Sequence, residues 1–279
     1  MMSPRSRSSL HGEDLPPTPH SFHLISVVIP ARNEAGNLET LIPEIEAALR
    51  HRDFEIIVVD DGSGDGTGSL LADLAKRRCP VRHLRHDRAC GQSRAVRSGV
   101  AAARGDVIAT IDGDGQNDPA FLPALVEALE AAGEACGLAA GQRTGRTDTF
   151  VKQVSSRLAN GLRRAVLKDD TRDTGCGLKV APIEVFRRLP YFDGWHRYLP
   201  ALVLREGFTI VHVDVADRPR GMGVSNYGVF DRARRGVLDL FGVWWLIRRC
   251  AKNPMLEEIV LEPVHATAVR SDRLETEPR

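Results

Sequence analysis

Short apolar runs alternate with helix-spaced apolar positions along the first half of the chain. LISVVIP (residues 24–30) is a continuous apolar run, the pattern of a strand buried on both faces. Between Asn33 and Arg50, Leu38, Leu41, Ile42, Ile45 and Leu49 recur at helical spacing and predict an amphipathic helix. FEIIVVD (54–60) predicts a second strand, GSLLADLAKRR (68–78) a helix, VRHL (81–84) a short third strand and QSRAVRSGVAAA (92–103) a further helix. DVIATI (106–111) reads as the fourth strand, a helix near 119–132 opens after Asp118-Pro119, and GLAAG (137–141) reads as the fifth strand. Such alternation predicts an α/β fold with a mixed, mostly parallel sheet and helices on both faces. Ligands of such sheets sit beyond the carboxyl ends of the strands. Pro30-Ala31-Arg32-Asn33-Glu34, Asp60-Asp61 and Asp112-Gly113-Asp114 are therefore expected at one rim.

The second half is less regular. Residues 148–167 are a basic amphipathic helix candidate, and TGCGLKV (174–180) and TIVHVDV (209–215) are expected strands. A Gly-rich loop, DRPRGMGVSNYG, leads into VFDRARRGVLDLFGVWWLIRR (229–249). There Phe230, Val237, Leu240, Phe241, Trp244, Trp245 and Leu246 form a broad apolar stripe flanked by Arg232, Arg234, Arg235, Arg248 and Arg249. Trp and Arg edging an apolar band suit an interfacial helix on anionic lipid, or a face packed on the domain or on a second copy. The expected organisation is a disordered leader at 1–22, a catalytic domain at 23–228, an amphipathic membrane-associating or dimer helix at 229–250 and a polar tail at 251–279.

Composition adds exclusions. The 279 residues are 42% hydrophobic and 27% charged, ordinary for a globular chain, and a net charge of +1 gives no reason to expect a nucleic-acid partner. The charge is uneven: residues 143–172 hold eight Lys/Arg against three Asp/Glu, and 218–249 hold seven Arg against two Asp. Two basic clusters in one half favour an anionic partner or a membrane surface. Five scattered cysteines without a CxxC pair point away from a disulfide framework or zinc site and towards a reducing compartment. No run reaches the roughly 20 apolar residues of a membrane span.

The chemistry concentrates in two acidic, Gly-rich loops. VVDDGSGDGT (58–67) fits the start of a calcium loop at Asp61, Ser63, Asp65 and Gly66. Position 12 is Ala72, however, and a strand precedes it where an EF-hand has a helix. Gly62, Gly64 and Gly66 do not complete a dinucleotide fingerprint either. TIDGDGQND (110–118) places Asp112 and Asp114 two residues apart after a buried strand. In an extended segment both carboxylates share one side. Two carboxylates beside glycines suit a hard divalent cation, Mg²⁺ or Mn²⁺, which completes its shell with water and substrate phosphates and neutralises charge on a departing nucleoside diphosphate.

VVIPARNEAGNL, VVDDGSGDGT and GQSRAVRSGVAAARGDVIATIDGDGQNDP, in that order, resemble a family 2 glycosyltransferase of the GT-A (Rossmann-like) fold. DGDGQ resembles the DxDxQ form of dolichyl-phosphate mannose synthases and bacterial polyprenyl-phosphate glycosyltransferases. DTGCGLKV and RPRGMGVSNYG resemble that subgroup's TSGF-type segment and RxxGxSKY loop, and the likeness spans roughly residues 24–250. The resemblance implies that Pro30, Ala31 and Glu34 line the nucleobase and ribose pocket, that Asp60 sits against base or ribose, and that Asp61 supports the loop. It implies that Asp112, Asp114 and Gln116 bind the metal, with Gly113 beside the donor. Arg143 would reach the donor or acceptor phosphate, and Arg220 and Ser225 would contact phosphates from a mobile loop. The family's Lys after that Ser is Asn226 here, which removes a phosphate-binding cation unless Arg218 or Arg220 replaces it.

The expected reaction is metal-dependent, inverting transfer of a sugar from a UDP- or GDP-linked donor to a polyprenyl phosphate. The product is a lipid-linked sugar for envelope glycan or lipid A modification. The expected location is peripheral, on the cytoplasmic face of the plasma membrane, with a homodimer as an option. A phosphate acceptor, second pKa near 6, is already a nucleophile and needs no protein base. The rivals are transfer to a sugar or protein hydroxyl, for which Asp173 is the candidate base, and an inactive GT-A-fold binding protein. His196 and Arg197, in FDGWHRYLP, are candidates near the site, with His196 expected to be structural, and Cys176 is expected to be a small buried residue.

Overall fold

The computed structural model describes residues 21–77, 80–144, 161, 163, 166–218 and 229–249, with backbone alone for 229–235. The strands are β1 (Ile25–Ala31), β2 (Phe54–Asp60), β3 (Val81–Arg85), β4 (Val107–Thr110), β5 (Cys136–Thr144), β6 (Lys179–Pro182) and β7 (Thr209–Ala216). The helices are α1 (Ala35–Leu49), α2 (Thr67–Lys76), α3 (Gln92–Ala102), α4 (Leu122–Ala132), α5 (Ile183–Arg188), α6 (Leu199–Arg205) and α7 (Val229–Arg248). The expected elements of the first half all form, within a few residues of the predicted ends. TGCGLKV is corrected: only its last two residues enter β6, and Thr174–Leu178 is a loop. Helices α5 and α6 were not anticipated. The predicted helix at 148–167 lies almost wholly outside the described residues.

The seven strands lie in the order β3-β2-β1-β4-β6-β5-β7. β6 alone is antiparallel to its neighbours β4 and β5; the other pairings are parallel. The order turns at β1, so the crevice beyond the ends of β1 and β4 is the natural ligand site. Pro30 is tolerated in this central strand because the β4 ladder stops at Val28↔Thr110, before a donor from residue 30 would be needed.

Two apolar layers sandwich the sheet. One packs Leu38, Leu41, Ile42 and Ile45 of α1 and Leu125, Val126 and Leu129 of α4 against Val27, Ile29, Ile56 and Val58. The other packs α3, α5 and α6 against Val28, Ile57, Val59 and Ile108, with fully buried Trp195 at its centre. Alternate residues of β1 and β2 serve opposite layers, which is why both strands read as unbroken apolar runs. α7 extends the second layer through Val243, Leu240, Trp244 and Ile247.

Candidate active site

β1, β2 and β4 deliver their loops to one rim. Ala31 pairs with Asp60, and the Asp61 amide continues that ladder by donating to the Ala31 carbonyl at 2.8 Å. Because β6 runs the other way, its first residue, Lys179, enters at the same rim opposite Thr110. β5 and β7 leave together there, with Arg143 paired to Val215. Residues distant in sequence thus converge on a cavity of about 380 Å³ lined by Pro30, Gln92, Asp112, Arg143, Asp173, Lys179, His196 and Arg197, among others.

The first two loops are laced together. Asn33 Oδ1 accepts from the Gly64 amide at 2.9 Å, and Ser63 Oγ accepts from the Asn33 amide at 2.9 Å. Asp60 is 1% exposed; its Oδ1 accepts from the Ser63 amide at 2.7 Å, while its Oδ2 has no hydrogen bond and lies 3.4 Å from His83. Asp61 pins the loop after β3, accepting from the Cys90 amide at 2.8 Å and the Gly91 amide at 2.7 Å. Burial would raise the Asp61 carboxyl, but those bonds and His86 hold it below the usual carboxylate range. Glu34 accepts from Asn37 Nδ2 at 2.5 Å.

The Asp112–Asp114 segment is not extended, contrary to the sequence expectation. β4 ends at Thr110, and Gly113, Asp114 and Gly115 form a turn whose left-handed residue is Gly115 (φ 73°). The turn still sets the two acids against each other. Burial, reinforced by the charge of Asp114, pushes Asp112 up to about 6. A carboxylate so disfavoured as an anion gains from a divalent cation, so the donor set fits a hard metal ion. Gln92 Nε2 donates to Asp112 Oδ1 at 2.7 Å, and Gln116 lies on the same turn, its amide donating to Asp114 Oδ1 at 3.2 Å.

The opposite wall is cationic. Arg143 donates to both oxygens of Asp173, at 2.5 and 3.0 Å, and to Asp217 at 3.4 Å. Burial would lower this guanidinium, yet Asp173 and Asp217 hold it above its ordinary value. Lys179 is 4% exposed, its ammonium on the carbonyls of Thr174 and Cys176, and burial lowers it. His196 shares a 2.7 Å hydrogen bond with Ser93, and burial, then Arg197 and Lys179, push it down to about 3. It is a neutral cavity residue.

Gly177 is where this wall meets the acidic turn. A Cβ there would lie 2.4 Å from Asn117 Oδ1 and 2.5 Å from the Asp112 carboxylate. Gly177→Ala should therefore displace Asp112 and raise the Mn²⁺ concentration needed for half-maximal turnover by about tenfold or more, with the fold intact by circular dichroism. An unchanged metal requirement would show that Asp112 does not need this gap.

Residues 26–189, more than half of the chain, match the family described as glycosyl transferase family 2. The chain belongs to that family. It is 33% identical over 235 residues to the dodecaprenyl-phosphate galacturonate synthase of Rhizobium johnstonii, covering 82% of this chain and 68% of that one. To the undecaprenyl-phosphate 4-deoxy-4-formamido-L-arabinose transferase of an Enterobacter species it is 32% identical over 212 residues, covering 74% and 63%. The chain thus spans about two thirds of the length of these curated relatives. Among solved structures, glucosyl-3-phosphoglycerate synthase of Mycobacterium tuberculosis, in complex with Mn²⁺, UDP and glucosyl-3-phosphoglycerate, superposes with a TM-score of 0.61 at 25% identity, covering 82% and 80%. The sheet is that of the GT-A glycosyltransferases.

For this glycosyltransferase, several sequence assignments are repositioned. Pro30, Asp112 and Arg143 line the cavity. Ala31 and Asp60 end β1 and β2, Glu34 and Asp61 stand in the loops that follow, and Gly113 packs on the Pro30 carbonyl. Arg143 is held by two carboxylates instead of projecting freely. Arg218 donates to Glu44 at 2.6 Å and Asp118 at 2.7 Å, so like Arg143 it is held by two carboxylates. Arg220, Ser225 and Asn226 lie outside the described residues. Lys179 and Gln92 both lay inside quoted motifs without being singled out, Lys179 because its apolar neighbours disguised it; His196 and Arg197, expected near the site, both line the cavity.

Proposed function

We propose that the chain transfers a sugar from a nucleoside-diphosphate donor to a polyprenyl phosphate, with inversion at the anomeric carbon, aided by Mg²⁺ or Mn²⁺. The observation that carries this reading is the lack of a usable base among the described residues lining the cavity. Asp173 is chelated by Arg143. His196 is pushed to about 3 and bonded to Ser93. Asp112 belongs to the metal turn. A hydroxyl acceptor needs such a base; a phosphate monoester, second pKa near 6, brings its own charged nucleophile. The relatives named for dodecaprenyl and undecaprenyl phosphates support the same acceptor class.

In this reading Asp112 and Asp114, with Gln116 beside them, would hold the ion, which would supply positive charge against the leaving diphosphate. Pro30, Ala31, Glu34 and Asp60 flank the nucleoside, and Asp61 fixes the loops around it. Lys179 and Arg143 stabilise phosphate charge in a water-poor wall where each is worth more than in solvent, with Arg220 and Ser225 assigned to the acceptor side.

Incubation with a panel of nucleotide sugars, Mn²⁺ and undecaprenyl phosphate should give an acidic glycolipid. Replacing the acceptor by the unphosphorylated polyprenol should give none. Turnover with polyprenol or a soluble sugar alone would favour the hydroxyl-acceptor reading.

Delivery of the acceptor falls to α7. Among the described residues no helix is long and apolar enough to cross a membrane. One edge of α7 packs on the domain, while Val237, Leu238, Phe241 and Trp245 remain 66%, 64%, 64% and 49% exposed. Arg248 stacks on Trp244 and Arg249 on Trp245, at 4.4 and 5.6 Å. An apolar face with basic, aromatic edges suits peripheral attachment to the cytoplasmic leaflet. The chain should float with anionic liposomes at low salt and lose this on Phe241→Asp with Trp245→Asp. Lipid-independent dimers abolished by the same changes would assign the face to a second copy.

A further inference from the structure

Around Asp61 lies a cluster whose metal-ligating capacity the transfer reaction does not use. Asp61, His86 and Cys90 each offer a ligand atom, and these atoms all lie within 4.8 Å of one another. Asp61 Oδ1 and His86 Nδ1 are 2.7 Å apart. The other ring nitrogen, Nε2, is held by Ser98 Oγ at 2.9 Å, and Asp61 Oδ2 is held by the Gly91 amide at 2.7 Å. Cys90 is exposed, on the wall of a cavity of about 560 Å³ that also includes His86, Arg88, Arg94, Ser98 and Tyr191.

We propose that Asp61, His86 and Cys90 form a binding site for a soft divalent cation of the Zn²⁺ class, separate from the hard-cation site at Asp112 and Asp114. Carboxylate, imidazole and thiolate together are a zinc-type donor set, assembled here from two loops with one cysteine, which the cysteine spacing that points away from a zinc site does not register. Insertion needs the Asp61–His86 pair to open by about half an ångström, to the spacing of two ligands on one tetrahedral ion. His86 then binds through Nδ1 with its proton on Nε2, and Ser98 Oγ accepts a hydrogen bond from Nε2–H, the outer-shell support that ligating histidines have elsewhere. The Cys90 thiol releases its proton to solvent on ligation. The fourth position opens to the cavity, where Arg88 and Arg94 favour an anionic or water ligand.

The Asp61–His86–Ser98 chain also has the order of a nucleophile triad. The Cys90 and Gly91 amides, which could stabilise an oxyanion beside it, both point at Asp61 instead. The metal reading keeps the amide bonds to Asp61 and the His86–Ser98 bond, and puts the ion in place of the direct Asp61–His86 hydrogen bond. Because Gly62 packs on the backbone of Arg88 and Ala89, an ion here ties the loops after β2 and β3 together.

Cobalt(II) added to the full chain tests this directly. A tetrahedral site with one thiolate gives a thiolate-to-cobalt charge-transfer band, which the all-oxygen site at Asp112 and Asp114 does not. The expected result is one equivalent of band-forming Co²⁺ displaced by Zn²⁺, lost in Cys90→Ser, and about tenfold weaker but still present in Ser98→Ala. In the native chain, Zn²⁺ should slow iodoacetamide labelling of Cys90, mapped by mass spectrometry, a readout that needs no variant to fold. No band, a band that survives Cys90→Ser, or labelling of Cys90 indifferent to Zn²⁺ would each overturn the proposal.

Discussion

Asp112→Asn should lower kcat/KM for glycosyl transfer by about 10³-fold or more and, without divalent metal at neutral pH, should melt higher than the native chain. Both effects have one cause. Asp112 is raised to about 6 by burial and by Asp114, so the folded chain holds this proton more tightly than the unfolded chain does. Its contribution to stability is complete below the ordinary carboxylate range and is lost as pH rises through about 6. Above that, the buried anion destabilises the metal-free protein by an amount on the order of 1–3 kcal/mol, which Asn removes. The melting difference should be a few degrees at neutral pH and should vanish near about pH 4. Mn²⁺ should stabilise the native chain and leave Asp112→Asn unmoved. Thermal scans across pH with and without Mn²⁺ make the check, and equal melting at all pH values would contradict the assignment.

Arg143→Met should lower both stability and activity, and the two losses should separate. Removing this guanidinium takes an ion-pair partner from two partly buried carboxylates, Asp173 and Asp217, whose side chains are 11% and 22% exposed; Asp173 keeps its bond from the Gly175 amide at 3.1 Å. Breaking such a pair from one side costs about 3–5 kcal/mol, a fall in melting temperature of roughly 6–15 °C. Adding Asp173→Asn should restore part of the stability, since one of the two carboxylates that lost Arg143 is then neutral. Activity should stay down by about 10²-fold if Arg143 also stabilises phosphate charge. Recovery of turnover in the double variant would reduce Arg143 to a structural cation.

The layout of the rim was legible because it depends on local pattern. The runs 24–30, 54–60 and 106–111 are too apolar for anything but buried strands, and each ends in Gly- and Asp-rich sequence that cannot continue a sheet. The partners of the charged residues were not legible. Nothing near Arg143 in sequence announces Asp173 or Asp217, and nothing near Arg218 announces Glu44. Those pairings follow from β6 entering antiparallel between β4 and β5, which also carries Lys179 to the rim. The turn at Asp112–Asp114 was misread as extended because Gly115, which takes φ 73°, permits either course. On α7 the apolar stripe was visible, but its division into a packed and an exposed edge depends on where α6 lies.

The most direct measurement is anomalous diffraction from a crystal soaked in Mn²⁺ and a nucleoside diphosphate. The account predicts a manganese peak about 2 Å from the carboxylates of Asp112 and Asp114, bridged to the diphosphate and facing Lys179 across the cavity. A peak elsewhere, with both aspartates free of metal and the diphosphate outside this cavity, would contradict it.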